Sequence, residues 1–206
     1  MAVAALAAIG ASCLFIYRTQ FRAPKYNVEL HEHIGQVLAE QTANLVGKKG
    51  RVVTLVINTK EWPELKTQTA AFKARLRQLG DFELREYELD TKDQPKYGVG
   101  RGLSGRRYVR TVKKNTTASA FVSFVGAPVL NDEELADLAS KPRLIAESSS
   151  PDNLVKLFAD QMLSVAVVSR FEFPAPGPEH PKTAEEWFTK RYQVLTPSTV
   201  ASMPTP

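Results

Sequence analysis

"RVVTLVINTKEWPELKTQTAAFKARLRQLGDFELREYEL", residues 51–89, changes its periodicity twice. It opens with RVVTLVIN over 51–58, a dense β-branched run without polar alternation. Such a run predicts a strand covered on both faces. Pro63 then stands in the first turn of a segment whose Leu65, Phe72, Leu76 and Leu79 share an inner face, and Gly80 stops it. FELREYEL, 82–89, alternates with period two, the pattern of a half-exposed edge strand. Strand, helix and strand in that order make a βαβ unit, which implies parallel pairing.

The same alternation continues on both sides. Upstream, VELHEHIGQVLAEQTANLVG is a helix ending at Gly47. Downstream, SGRRYVRTVKKN is a helix with Ser104 as candidate N-cap, followed by a third strand at about 118–125, ASAFVSFV. NDEELADLAS is a short helix with acids in its first turn, where the macrodipole favours them. PRLIAE is the fourth strand, SPDNLVKLFADQM a helix, and LSVAVVS the fifth strand. Prolines 174, 176, 178 and 181 follow, then a helix over 183–193 and a poorly ordered tail, TPSTVASMPTP. The expected fold is α/β, a three-layer doubly wound sheet of five mainly parallel strands in the order 2-1-3-4-5. It occupies 26–172, between an N-terminal anchor over 1–25 and a Pro-rich arm, short helix and flexible tail over 173–206.

The chain of 206 residues carries 27 Lys+Arg against 22 Asp+Glu, a net charge of +5. Aromatic residues are not interleaved with the basic ones, which argues against a nucleic-acid partner. Cys13 is the single cysteine and lies in the apolar N-terminus, so the rest of the chain has no disulfide, thiolate metal site or cysteine nucleophile. AVAALAAIGASCLFIY, residues 2–17, has no charge and spans about 24 Å as a helix. It reads as an uncleaved single-pass transmembrane helix in membrane lipid. Arg18, Arg22 and Lys25 follow it, so the positive-inside rule leans towards a cytoplasmic domain.

Ligands of doubly wound sheets bind outside the carboxyl ends of the strands. Those ends supply Asn58 and Thr59, Gly126, Glu147 and Ser148, and Arg170, a set able to grip a small polar solute. The alternative is that they are ordinary turn and cap residues. No catalytic set, metal site or cofactor motif emerges. His31 and His33 are two apart on a helix and point away from each other, and His180 lies among prolines. There is no Gly-x-Ser-x-Gly elbow and no Walker lysine. GVGRGLSGRR, 98–107, gives Gly-x-Gly-x-Gly after the second strand, whereas a dinucleotide fingerprint needs Gly-x-Gly-x-x-Gly directly after a strand. It reads better as a lead into a basic helix. Arg106, Arg107, Arg110, Lys113 and Lys114 give that helix one basic face, suited to anionic headgroups or to an acidic patch on a partner. Trp187 and Phe188 on the last helix are expected to join those partner contacts.

RVVTLVINTKEWPELKTQTAAFKARL, SGRRYVRTVKKN, AFVSFVGAPVLNDEEL and LIAESSSPDNLVKLF together resemble the first lobe of type I periplasmic solute-binding domains, over about 48–170. They are also similar to small membrane-anchored bacterial proteins with that fold. The resemblance implies a Rossmann-like sheet, small-solute binding and a periplasmic setting. Family members close two lobes around their ligand, and this chain has length for one. The leading expectation is therefore a non-catalytic, membrane-anchored accessory subunit that docks its α/β domain onto a larger membrane protein complex. The alternative is a membrane-tethered solute-binding or sensory domain using its strand ends.

Overall fold

The computed structural model describes residues 9–15, 26–57, 62–89, 103–138, 141–148, 154–170 and 181–200. The chain runs α1 (Val28–Val46), β1 (Lys49–Ile57), α2 (Pro63–Leu79), β2 (Asp81–Leu89), β3 (Leu103–Ser104), α3 (Gly105–Lys114) and β4 (Ala120–Ser123). It continues with β5 (Pro128–Val129), α4 (Asp132–Ala136), β6 (Leu144–Ser148), α5 (Leu154–Ala159), β7 (Val165–Ser169), α6 (Ala184–Arg191) and β8 (Tyr192–Leu195).

The main sheet has six strands in the order β2-β1-β4-β6-β7-β8. The first five are parallel, and β8 pairs antiparallel with β7 through Ala166↔Leu195 to Ser169↔Tyr192. The expected order of five parallel strands is present, and the sheet is one strand wider than expected. The C-terminal segment was read as a helix to 193 and then a loose tail. Instead the helix ends at Arg191 and the next four residues close the sheet edge. The sequence holds no strand run there. What places β8 is tertiary: β7 is buried along Val165–Val168 and needs an outer neighbour for its backbone groups. A second, two-stranded parallel ladder, β3 with β5, was also not expected.

Burial follows the periodicity. From Val52 on β1 is buried without a break, and β4 and β6 are buried throughout, whereas β2 alternates as an edge must. Right-handed crossovers place α2 on one face and α3, α4 and α5 on the other. α1 packs along α2 and reaches β4, β6 and β7, so it lies on the α2 face. Phe72 of α2 meets Phe124 edge-on at 5.4 Å, and Tyr108 of α3 meets Phe121 at 6.1 Å. Each such ring contributes about 1.5–3 kcal/mol by leaving water.

Local signals set the helix limits. The Asn27 side chain accepts from Leu30 N at 3.0 Å, and Gly47, at φ 96°, ends α1. α4 and α6 each carry a capping box, Asn131 with Glu134 and Thr183 with Glu186. Residues 9–15 are helical and exposed, with Ile9, Leu14 and Phe15 all open. Among the described residues no helix is long and apolar enough to cross a membrane, so the expected transmembrane helix is not supported. The rest of the 2–17 stretch lies outside the described residues.

Candidate functional site

Because β1, β4, β6 and β7 are parallel, their carboxyl ends form one edge of the sheet. The register runs Leu55↔Ser123, Ser123↔Ala146 and Ser148↔Val168 across it. β1 has β2 on one side and β4 on the other, so the crossovers progress across the sheet in opposite directions from β1, although all three strands are parallel. That is the switch point at which doubly wound sheets bind their ligands. Of the six strand-end residues singled out from the sequence, Asn58 and Thr59 lie outside the described residues. Gly126, Glu147, Ser148 and Arg170 follow or end three successive strands at this edge.

Each is held differently. Beyond β4 the buried Ser123 hydroxyl donates to Gly126 O at 2.6 Å and accepts from Val125 N at 3.3 Å. This local loop turns the backbone so sharply that Gly126 sits at φ 98°, a conformation glycine adopts without strain. Ser123 was missed in the sequence, where its one signal was a hydroxyl inside an apolar run. Glu147 and Ser148 end β6 and are 8% and 5% exposed. Arg170 follows β7. Its backbone N donates to Arg191 O at 2.8 Å and its Nε to Thr189 O at 2.7 Å, which ties it to the α6–β8 segment.

The glycine-rich stretch enters the described residues only from Leu103 onward. Gly105 opens α3 against Val129 O and the Glu134 carboxylate; any Cβ would collide with both. Ser104 is the N-cap residue of α3, as expected, but its side chain makes no cap bond. The Glu134 carboxylate sits where a phosphate cradle would place its anion, and it complements the positive end of α3. The signal for it was the Asn131-x-x-Glu134 box.

The basic face of α3 is present, with Arg106, Arg110, Lys113 and Lys114 exposed and Arg107 half-buried. It does not face open solvent alone. A cleft of about 710 Å³ separates it from acidic α4, and Lys113 bridges to Asp137 at 2.9 Å. Phe188 is not available as a partner contact. It is buried, 5.2 Å from the His33 ring and stacked on Tyr192 at 5.7 Å. Trp187 is half-buried, with the Arg191 guanidinium 5.2 Å from its ring centre. His31 Nδ1 lies 3.0 Å from Gln68 Nε2, so the two α1 histidines serve different contacts.

No protein-family model matches the chain, and no curated protein matches it. Solved structures do. A solute-binding protein of an ABC transporter from Burkholderia graminis, in complex with D-arabinose, is similar at a TM-score of 0.58 and 16% identity, over 85% of this chain and 62% of that one. The sugar-binding protein of a sugar ABC transporter from Bacillus halodurans is similar at 0.56 and 12% identity, over 84% and 64%. A chain of the XylFII–LytSN complex is similar at 0.54 and 13% identity, over 82% and 60%. The chain spans about three-fifths of the length of these structures. What they establish for this chain is its fold, that of the type I periplasmic-binding-protein-like domains.

Proposed function

We propose that this chain is a membrane-tethered domain that binds a small polar solute at the carboxyl edge of its sheet. The observation that carries the reading is the pair Glu147 and Ser148, buried at that edge in a fold shared with sugar-binding proteins. A carboxylate accepts from several hydroxyls, and a serine hydroxyl both donates and accepts. Polyhydroxylated ligands such as pentoses and hexoses match that chemistry. Gly126 brings bare backbone to the neighbouring strand end, and Arg170 follows the next strand on the other side, its Nε bound to Thr189 O. The sheet offers one wall, whereas tight small-molecule sites enclose most of the ligand. The expected affinity is therefore weak, with a Kd of about 1 mM.

The tether rests on residues 2–17 and on the exposed apolar side chains of 9–15. Tyr26 is held at the carboxyl edge, where its hydroxyl donates to Pro63 O at 3.2 Å and lies 2.8 Å from Thr67 Oγ1 at the start of α2.

Thermal unfolding of the full chain in detergent, with and without sugars, amino acids and nucleotides, tests this. A ligand at ten times its Kd adds about 1.4 kcal/mol, roughly 3 °C in Tm for a domain of this size. The shift should appear with a pentose or hexose and vanish in Glu147→Gln and Arg170→Ala. No shift with any compound in the panel sinks the proposal.

A further inference from the structure

The carboxyl edge holds the proposed solute site, and the opposite edge gathers charge. Parallel strands begin there, and the helices that feed them end there. The amino edge therefore collects Lys48 and Lys49 at the start of β1, Lys113 and Lys114 from the last turn of α3, and Lys141 and Arg143 ahead of β6, all exposed. Some of this charge is already used. Lys113 bridges to Asp137, Arg51 to Glu83 at 2.8 Å, and Arg143 Nη1 donates to Leu45 O at 2.8 Å, capping α1. Lys48, Lys49, Lys114 and Lys141 pair with no carboxylate among the described residues.

At the centre of this edge is a recess of about 280 Å³ between the end of α3, the approach to β4 and the approach to β6. Its walls carry Lys113, Lys141 and Arg143 together with the hydroxyls of Thr116 and Ser119; the one acid among the described lining residues, Asp137, is engaged by Lys113. Ser119 Oγ accepts from Arg51 N at 3.3 Å, which leaves its own proton to donate outward. The volume holds several waters at about 30 Å³ each, or one tetrahedral anion with the first atoms of an ester.

We infer that this recess binds a phosphoryl group, either free phosphate or a phosphate monoester. Lysine and arginine side chains from separate elements line it beside two hydroxyls, and charge-assisted bonds from such donors to phosphate oxygens are the strong kind. The surrounding lysines raise the local anion concentration. The 19 residues of α1 place its first residue, Val28, about 28 Å from the end of the helix near the recess. A recess of this size at the amino edge suits a soluble phosphate compound, and the vesicle arm of the test decides between it and a lipid headgroup.

The test is calorimetric titration of the full chain with inorganic phosphate, with glycerol 3-phosphate and with vesicles containing phosphatidic acid, against chloride at matched ionic strength. Binding of phosphate or of the soluble ester is expected, at least tenfold weaker in Lys141→Glu and unchanged in Lys156→Glu. Lys156 is an exposed lysine whose partner is Asp132 at 3.3 Å, away from the recess, so it controls for net charge. Glu147→Gln, at the carboxyl edge, should also leave phosphate binding intact, which separates this inference from the sugar proposal. Three results overturn it: no binding beyond matched chloride, equal losses in Lys141→Glu and Lys156→Glu, or binding to the vesicles alone.

Discussion

The two helical layers are built on different principles. On one face α1 and α2 pack closely enough for Gly35 to rest on the backbone of Gln68, where any side chain would collide with the Gln68 carbonyl. The contact is apolar in its centre, with Ile34, Leu38, Leu65, Phe72 and Leu76 all fully buried. On the other face α3 and α4 flank an open charged cleft, with the Glu134 carboxylate against Gly105 at one end and the exposed pair Lys113–Asp137 across it. The first layer owes its stability to shape and the second gains little from its charges. A protein that must keep its core and still offer polar surface separates the two tasks in this way. The tight layer tolerates no added volume, and the open layer accepts changes of charge.

The largest effect should therefore come from Gly35→Val. Overpacked cores lose about 1–3 kcal/mol when side chains can yield, and here the obstacle is backbone, so a loss of at least ~3 kcal/mol is expected. Urea unfolding followed by circular dichroism reads it. A loss below 1 kcal/mol would mean that the α1–α2 layer is looser than its geometry.

Tyr108→Phe should have a smaller effect and the opposite sign. Tyr108 is fully buried on α3, and its hydroxyl has no hydrogen-bond partner among the described residues. Burial pushes its pKa far above the usual tyrosine range. A buried donor without a partner costs about 1–3 kcal/mol, so the phenylalanine variant should be at least as stable, by up to ~1 kcal/mol at pH 7. The pH dependence has a fixed sign. The unfolded phenol ionises near about pH 10 and the folded one does not, so this contribution is complete below that pH and falls as pH rises, by about 1.4 kcal/mol per unit. Removing the hydroxyl should remove that part of the alkaline loss. Denaturation curves for both proteins at pH 7 and pH 10.5 would show it, and parallel losses in the two would refute it.

How much of this was readable before the structure depends on the kind of signal. β1 and β2 were legible because one run is uniformly apolar and the other alternates, and those patterns separate a central strand from an edge. The order of the five parallel strands followed from that contrast. β8 was not legible, because Tyr192, Gln193, Val194 and Leu195 form a strand only through the neighbour they meet. β3 and β5, two residues each, are too short to show any period. At the site, the strand-end positions of Glu147, Ser148 and Gly126 could be read from the ends of apolar runs. The Ser123–Gly126 turn and the placement of Glu134 at the start of α3 could not, since they join residues whose proximity the fold creates. Phe188 was misjudged for a related reason. An aromatic residue on a short C-terminal helix looks free until the helix docks, and here its ring lies against His33 of α1.

The smallest effect separates the two layers most sharply. Lys113 and Asp137 form the one ion pair described between α3 and α4, and their side chains are 51% and 62% exposed. Exposed pairs contribute about 0.2–1 kcal/mol, because solvent screens the attraction and ordering two side chains costs entropy. A double-mutant cycle of Lys113→Ala and Asp137→Ala should give a coupling of ~0.5 kcal/mol, falling towards zero in 1 M salt, where the Debye length is about 3 Å. A coupling above 2 kcal/mol that survives salt would mean that the cleft closes in solution and that both layers are tightly built. If the coupling is small, α3 is held by Tyr108, Val109 and Val112 beneath it, all buried, and its charged face remains free to meet a ligand.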